Sequence, residues 1–142
     1  MSEYGKIYLV GYQGRYEEAE AAAEVKPGHL LTLTSEGKVQ PHATAGGYAE
    51  RAFAVERSEM GQTIDDAYAQ GDQVKFVLAM PGDVVWAFLK NGQTVSVGDL
   101  VTSAGDGTLK VKGDTDIPVG VVLEALDLSG ASEPARVKIR LL

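Results

Sequence analysis

Residues 28–39 and 98–109 carry one short pattern twice, at an offset of 70 and without a gap. Gly28 aligns with Gly98, Leu30 with Leu100, Leu31 with Val101, Thr32 with Thr102, Gly37 with Gly107 and Val39 with Leu109. Each copy is a glycine turn, an apolar run, a second glycine turn and a further β-type run, the signature of a strand–turn–strand unit used twice. Two more glycine-acid turns, Gly71-Asp72 and Gly82-Asp83, lie between the copies, each followed by a valine-rich run. A return strand follows each copy, Val122-Leu123-Glu124 resembling Ala54-Val55-Glu56. A chain punctuated this way is built from short strands and tight turns, and its function is expected in surfaces rather than in a catalytic cleft.

Runs of β-type residues mark the strands. Leu30–Thr34 and Lys38–His42 flank Ser35-Glu36-Gly37, and Ala52–Glu56 returns. Gln73–Ala79 and Val84–Leu89 follow, then an Asn91-Gly92 hairpin turn into Thr94–Val97. The second copy, Val119–Leu126 and a closing strand complete the set; in the last, Val137, Ile139 and Leu141 alternate with Arg136, Lys138 and Arg140. That alternation reads as a half-buried strand with a solvated basic face. Thr63 and Asp66 are spaced as a capping box, which allows one helical turn or a structured loop before Gly71. Roughly nine or ten short strands over residues 27–142 predict a mostly β fold with a compact barrel or sandwich body.

Residues 1–26 differ from this body. Tyr4, Tyr8, Tyr12 and Tyr16 recur every four residues, and Gly5, Gly11 and Gly14 argue against a helix there. In an extended chain the four rings project to one side, with Ile7 and Leu9 on the other. Two readings fit: an amphipathic strand within the fold, or an arm whose tyrosines dock on another subunit. Glu17–Val25 (EEAEAAAEV) favours a short helix through its alanines, ended by Pro27-Gly28. The expected division is an N-terminal arm with a linker helix at 1–26 and a β-barrel body at 27–142.

The strand Val84–Leu89 (VVWAFL) is apolar on both faces, Val84, Trp86 and Phe88 on one and Val85, Ala87 and Leu89 on the other. A strand wet on one side alternates with polar residues. One face therefore fills the core, and the other lies under the N-terminal segment or a neighbouring subunit. The candidate interface residues are Tyr4, Ile7, Tyr8, Leu9, Tyr12, Tyr16, Val85, Trp86 and Leu89.

No residue pattern argues for catalysis. The chain has no cysteine, so disulfides, thiolate metal sites and cysteine nucleophiles are excluded. His29 and His42 bracket the first hairpin without zinc-ligand spacing and read as turn or surface residues. Asp106, Asp114 and Asp116 lack the EF-hand spacing and its closing glutamate. Asp65-Asp66 and Glu17-Glu18 are adjacent in sequence and would diverge rather than converge on a substrate. No cofactor or metal is expected. The net charge of −7 repels phosphate backbones, so nucleic acid is not an expected partner. No stretch approaches the ~20 apolar residues of a membrane span, and the N-terminus lacks the pattern of a signal peptide.

Two family resemblances bear on function. Ala79-Met80-Pro81-Gly82-Asp83-Val84, with Lys90-Asn91-Gly92-Gln93-Thr94-Val95 and Gly98-Asp99-Leu100, resembles the biotinyl and lipoyl carrier domains. Those domains carry a lysine on an exposed hairpin tip; the corresponding turn here, Ser103-Ala104-Gly105-Asp106-Gly107, has none. That leaves a cellular barrel-sandwich binding module as the alternative reading. A wider series runs through Pro27-Gly28-His29-Leu30, AFAVE at 52–56, Gly61 through Gly71-Asp72, Pro81-Gly82-Asp83-Val84, Val97-Gly98-Asp99-Leu100, Asp106-Gly107-Thr108-Leu109 and Val119-Gly120-Val121-Val122-Leu123-Glu124. Taken together it resembles the tailed-phage head decoration, or capsid cement, proteins. The resemblance implies a β-tulip or related small-barrel fold, no catalytic residues, a homotrimer, and the major capsid protein as partner. It also implies a place on the outer capsid surface of the virion, after synthesis in the host cytoplasm.

Overall fold

The computed structural model describes residues 4–11 and 13–142. Among them the regular elements are strands β1 (Tyr8–Val10), β2 (Arg15–Glu20), β3 (Leu31–Leu33), β4 (Val39–Pro41), β5 (Ala52–Ala54), β6 (Gln73–Leu78), β7 (Val84–Leu89), β8 (Thr94–Val95), β9 (Leu100–Ser103), β10 (Leu109–Val111), β11 (Gly120–Val122), β12 (Leu126–Asp127) and β13 (Ala135–Leu141), with one 3₁₀ turn at Ser58–Met60. The mostly β expectation holds, as does a small closed barrel. Strands β7-β10-β9-β11-β13 form a ring that closes along six register pairs, from Ala135↔Leu89 to Arg140↔Val84. The short β8–β12 pair is accessory to it.

The first half of the chain repeats this ring. Sheet β2-β6-β5 and hairpin β3-β4 are joined by single bridges, Leu30↔Phe53 and a parallel Ala21↔Val39. The order β2-β4-β3-β5-β6 is that of β7-β10-β9-β11-β13, pair for pair. Leu31↔Pro41 and Leu33↔Val39 in the first hairpin become Val101↔Val111 and Ser103↔Leu109 in the second. The bridge Leu30↔Phe53 becomes Leu100↔Val121, and the parallel Ala21↔Val39 becomes Leu89↔Leu109. Even single hydrogen bonds match: Gly28 donates to the Ala54 carbonyl, and Gly98 to that of Val122, both at 2.9 Å. The 12-residue repeat seen in the sequence is the visible part of two tandem five-stranded rings.

The glycine-acid turns have one design. In Ala69–Asp72, Met80–Asp83 and Ser96–Asp99 the third residue is a glycine at φ +93°, +93° and +95°, as a type II turn requires. The aspartate then accepts the N–H of the first residue at 2.8, 2.8 and 2.9 Å, closing the loop on itself. Thr63–Asp66 is closed the same way, Asp66 accepting the Thr63 N–H at 2.7 Å, and it is a turn rather than the start of a helix.

Packing ties the rings together. One core is wholly of the first ring, with Ala21, Val25, Leu31, Val39, Phe76 and Tyr68 among its members. The larger core fills the second ring and also takes in Ile7, Leu30, Phe53 and Val77. Burying Phe53 and Leu30 across the junction, at about 25 cal/mol per Å² of apolar surface, makes independent motion of the rings unfavourable.

The N-terminal segment is built into this body. The linker helix expected at Glu17–Val25 is instead strand, β2 pairing with β6 from Arg15↔Leu78 to Glu20↔Gln73. Helix propensity over nine residues is worth little, whereas a six-pair ladder satisfies the backbone, and the small Ala21 fits the inward face. β1 adds to the edge of β7, Tyr8↔Val85 and Val10↔Val84.

Candidate functional site

Of the residues expected at an interface, three have no free surface. Ile7, Val85 and Leu89 are fully buried in the chain's own core. The two-sided strand β7 is buried at all six positions, and its second face lies under other parts of this chain. Trp86 and Phe88 point away from the core, opposite to the orientation that would free Val85 and Leu89. Tyr4 stacks edge-on against Trp86 with ring centroids 5.1 Å apart. The N-terminal segment, one of the two covers expected for that face, lies over it through this contact. Trp86 Nε1 is buried without a hydrogen-bond partner among the described residues.

Arg136 completes that cover. Its guanidinium lies 4.5 Å from the Phe88 ring centroid and 5.5 Å from that of Trp86. Nε and Nη2 donate to the Pro27 carbonyl at 3.2 and 3.0 Å, Nη2 also donates to the Ile64 carbonyl, and Nη1 faces Asp65 at 3.5 Å. The side chain is 11% exposed, so the strand alternation that reads it as solvated is overruled by two loops folding over it.

Among the described residues, Tyr4, Tyr8 and Tyr16 do not form one docking stripe. The Tyr8 hydroxyl donates to Asp83 Oδ2 at 2.6 Å and accepts the Gly14 N–H at 3.2 Å. Burial first, and then the Asp83 carboxylate, push its pKa up to about 12. A Cβ at Gly11 or Gly14 would collide with that hydroxyl, which is why the intervening loop is glycine-rich. Tyr16 crosses Tyr8 edge-on at 6.2 Å, carries Lys75 over its ring at 4.9 Å and is 52% exposed. Leu9 is half-buried. Tyr12 lies outside the described residues.

Two histidines that read as turn or surface residues are structural. His42 is buried; Nε2 donates to the Tyr48 carbonyl at 2.8 Å, leaving Nδ1 to accept from the Ser103 hydroxyl at 2.7 Å, which links β4 to β9. His29 is half-buried beside Phe88, and its Nδ1 accepts the Lys26 N–H at 3.1 Å. Burial, then the Lys26 charge, lowers its pKa to about 4. The offset of 70 aligns His29 with Asp99, a signal in the sequence for its turn-closing role. Asp106 anchors the equivalent of a carrier-domain tip: burial opposes its charge, but Lys90 at 2.8 Å and Thr108 bring its pKa down to about 2. No group of three or more His, Cys, Asp or Glu side chains among the described residues could hold a metal ion.

Exposed apolar side chains occur on both rings, and two adjoining hollows open on the first. Between β2 and hairpin β3–β4 runs an open groove of about 230 Å³, lined by Glu17, Leu31, Leu33, Val39, Phe76 and Leu78 among others. A second hollow, reaching Tyr48 and Met80, adjoins it through Arg15, Glu50 and Leu78. Leu33 is 59% and Tyr48 76% exposed. At about 230 Å³ this groove is smaller than the usual site of a drug-sized ligand, and its part-apolar lining suits the side chains of an extended segment.

No family model and no curated protein matches this sequence. Among solved structures, the head fiber gp8.5 N base of bacteriophage phi29 is similar along nearly the whole of both chains. The match covers 92% of this chain and 95% of that one, with a TM-score of 0.61 and 16% identity. At that identity the likeness is one of fold.

Proposed function

We propose that this chain is an auxiliary structural protein of a tailed-phage head, held on the outer surface of the capsid. There it ties neighbouring major capsid subunits together, and it assembles as a homotrimer. The observation that carries the reading is the full-length likeness in fold to a protein described as the base of a phage head fiber. The series of turn motifs resembling head decoration proteins points independently to the same place. The body suits that role. Two rings joined where Leu30, Phe53 and Val77 enter the larger core form a rigid unit, and a rigid unit that contacts several subunits multiplies modest affinities through effective concentration. Its net charge of −7 keeps it from competing for packaged DNA. Tyr16, 52% exposed, remains the tyrosine of the N-terminal segment offered to a partner, while Tyr4 and Leu9 are half-buried.

The test is decoration of purified capsids. The chain is expected to co-sediment with capsids assembled from the major capsid protein encoded in the same genome, to saturate at a fixed copy number, and to raise their resistance to heat. Light scattering across concentrations is expected to give the trimer mass. Failure to co-sediment overturns the assignment; a monomer mass at all concentrations removes the trimer alone.

A further inference from the structure

The two rings differ at one edge. In β7 the N–H groups of Trp86 and Phe88, and of Lys90 just beyond, face away from β13. They donate to the carbonyls of Ile7, Gly28 and Leu109 at 2.8, 3.3 and 2.9 Å. That edge is covered from end to end by β1, the Pro27–His29 turn and β10. The equivalent groups along β2 are those of Glu18, Glu20 and Ala22. Ala22 donates to Val39 at 2.8 Å, as Lys90 does to Leu109. Ala21 donates to Asp72 on the β6 side, so the even-numbered residues of β2 turn their backbone groups outward. Among the described residues, Glu18 and Glu20 have no backbone partner on that side. The first ring lacks the strand that β1 supplies to the second.

The gap leads into the open groove. Glu17 stands there where the second ring has Val85, with Arg15, Glu50 and the exposed Leu33 also lining the opening. Charge selects the occupant. Residues 13–80 hold six basic against eleven acidic side chains, whereas residues 81–142 hold six against eight. Pairing β2 with the β2 of a second copy would bring glutamates 17, 18 and 20 of each strand together. Those three glutamates already pair within the chain with Arg15, Arg57 and Lys38, at 2.7, 3.1 and 3.1 Å. It is therefore the acidic surplus of residues 13–80 as a whole that protects the edge against its own kind and favours a basic strand. We infer that the free β2 edge and its groove receive an extended, lysine- or arginine-bearing segment of the capsid protein, added as a strand beside β2. This rests on the capsid reading above. Backbone pairing supplies affinity in such an arrangement, and the groove takes alternate side chains.

Two variants test it. Glu18→Pro removes an outward N–H while leaving the β6 ladder intact, since proline is tolerated where the N–H faces solvent. Leu33→Asp places a charge in the groove at an exposed position. Each is expected to weaken binding to purified capsids at least ten-fold, with a melting midpoint near that of the parent chain, and amide exchange at Glu18 and Glu20 is expected to slow on capsid binding. Should Glu18→Pro not fold, Leu33→Asp and the exchange measurement decide. Parent-like capsid binding by the folded variants overturns the inference and leaves the capsid reading standing. Absence of capsid binding by the parent chain overturns both. Self-association without capsids that Glu18→Pro abolishes would show the edge pairing copies of this chain, and would overturn the capsid segment as occupant.

Discussion

His29 Nδ1 accepts the backbone N–H of Lys26 at 3.1 Å, closing in the first ring the turn that Asp99 closes on Ser96 in the second. An imidazole does this only with a free Nδ1 lone pair, so protonation opens the turn. Burial, and then the Lys26 and Arg136 charges, lower the His29 pKa to about 4, with Asp106 pulling the other way. Unfolded, the same histidine titrates at ~6.5. Between those values the unfolded chain binds the extra proton, so stability is full above the higher value and falls as pH drops toward the lower. Urea midpoints of the parent chain and His29→Asn at pH 7, 6, 5 and 4.5 should diverge, the parent alone carrying a slope approaching ~1.4 kcal/mol per pH unit. Parallel profiles would contradict this account.

Gly37 and Gly107 are equivalent residues in the two hairpin turns, at φ +79° and +85°. A Cβ at Gly37 meets nothing within 4 Å; at Gly107 it meets Pro41 Cβ at 2.8 Å and the His29 ring at 3.1 Å. Gly37→Ala should therefore cost about 1 kcal/mol, the conformational term alone. Gly107→Ala adds overpacking against a turn and should cost about 2–4 kcal/mol. Chemical denaturation of the pair reads the difference directly; equal costs would mean the interface between the hairpins yields freely.

Arg136 bridges the Pro27 turn, the Ile64 loop and two aromatic rings with one planar group. A lysine keeps the charge but cannot reproduce the fork or the stack. Arg136→Lys should lose about 2–3 kcal/mol, and Arg136→Ala about 3–5 kcal/mol, because buried carbonyls are left without donors. Because Arg136 helps cover the Trp86 ring, Trp86 emission should move to the red in both variants relative to the parent chain. A Lys variant as stable as the parent would show that the charge alone suffices.

What is legible in the sequence is local. The paired glycines and the offset of 70 place both hairpins in their correct register, because a turn glycine at positive φ is readable one residue at a time. The two-sided burial of Val84–Leu89 is legible for the same kind of reason, although which face turns inward is not. Glu17–Val25 misleads since its alanines report helix propensity, while the partner that makes it a strand, β6, lies more than fifty residues away. Arg136 misleads because alternation records which face a side chain leaves, and not what later folds over it. The missing strand beside β2 lies beyond the sequence altogether: it emerges only when two rings are compared, one with its edge covered and one without.

Removing residues 1–26 measures how far the N-terminal segment belongs to the body. The deletion takes β1 and its Ile7 from the larger core, and β2 with Ala21 and Val25 from the smaller. Loss of the fully buried Ile7 side chain alone should cost about 2–5 kcal/mol, and without β2 the first ring has no strand to close against β4. The 27–142 fragment is expected to lose its cooperative near-UV transition, or to melt more than ~10 °C below the whole chain. Removing only residues 1–5 spares Ile7 and every ladder pair, and should shift Trp86 emission while moving the melting midpoint by no more than a few degrees. A 27–142 fragment that melts like the intact chain would make the segment a separable arm, free to reach a partner without opening either ring.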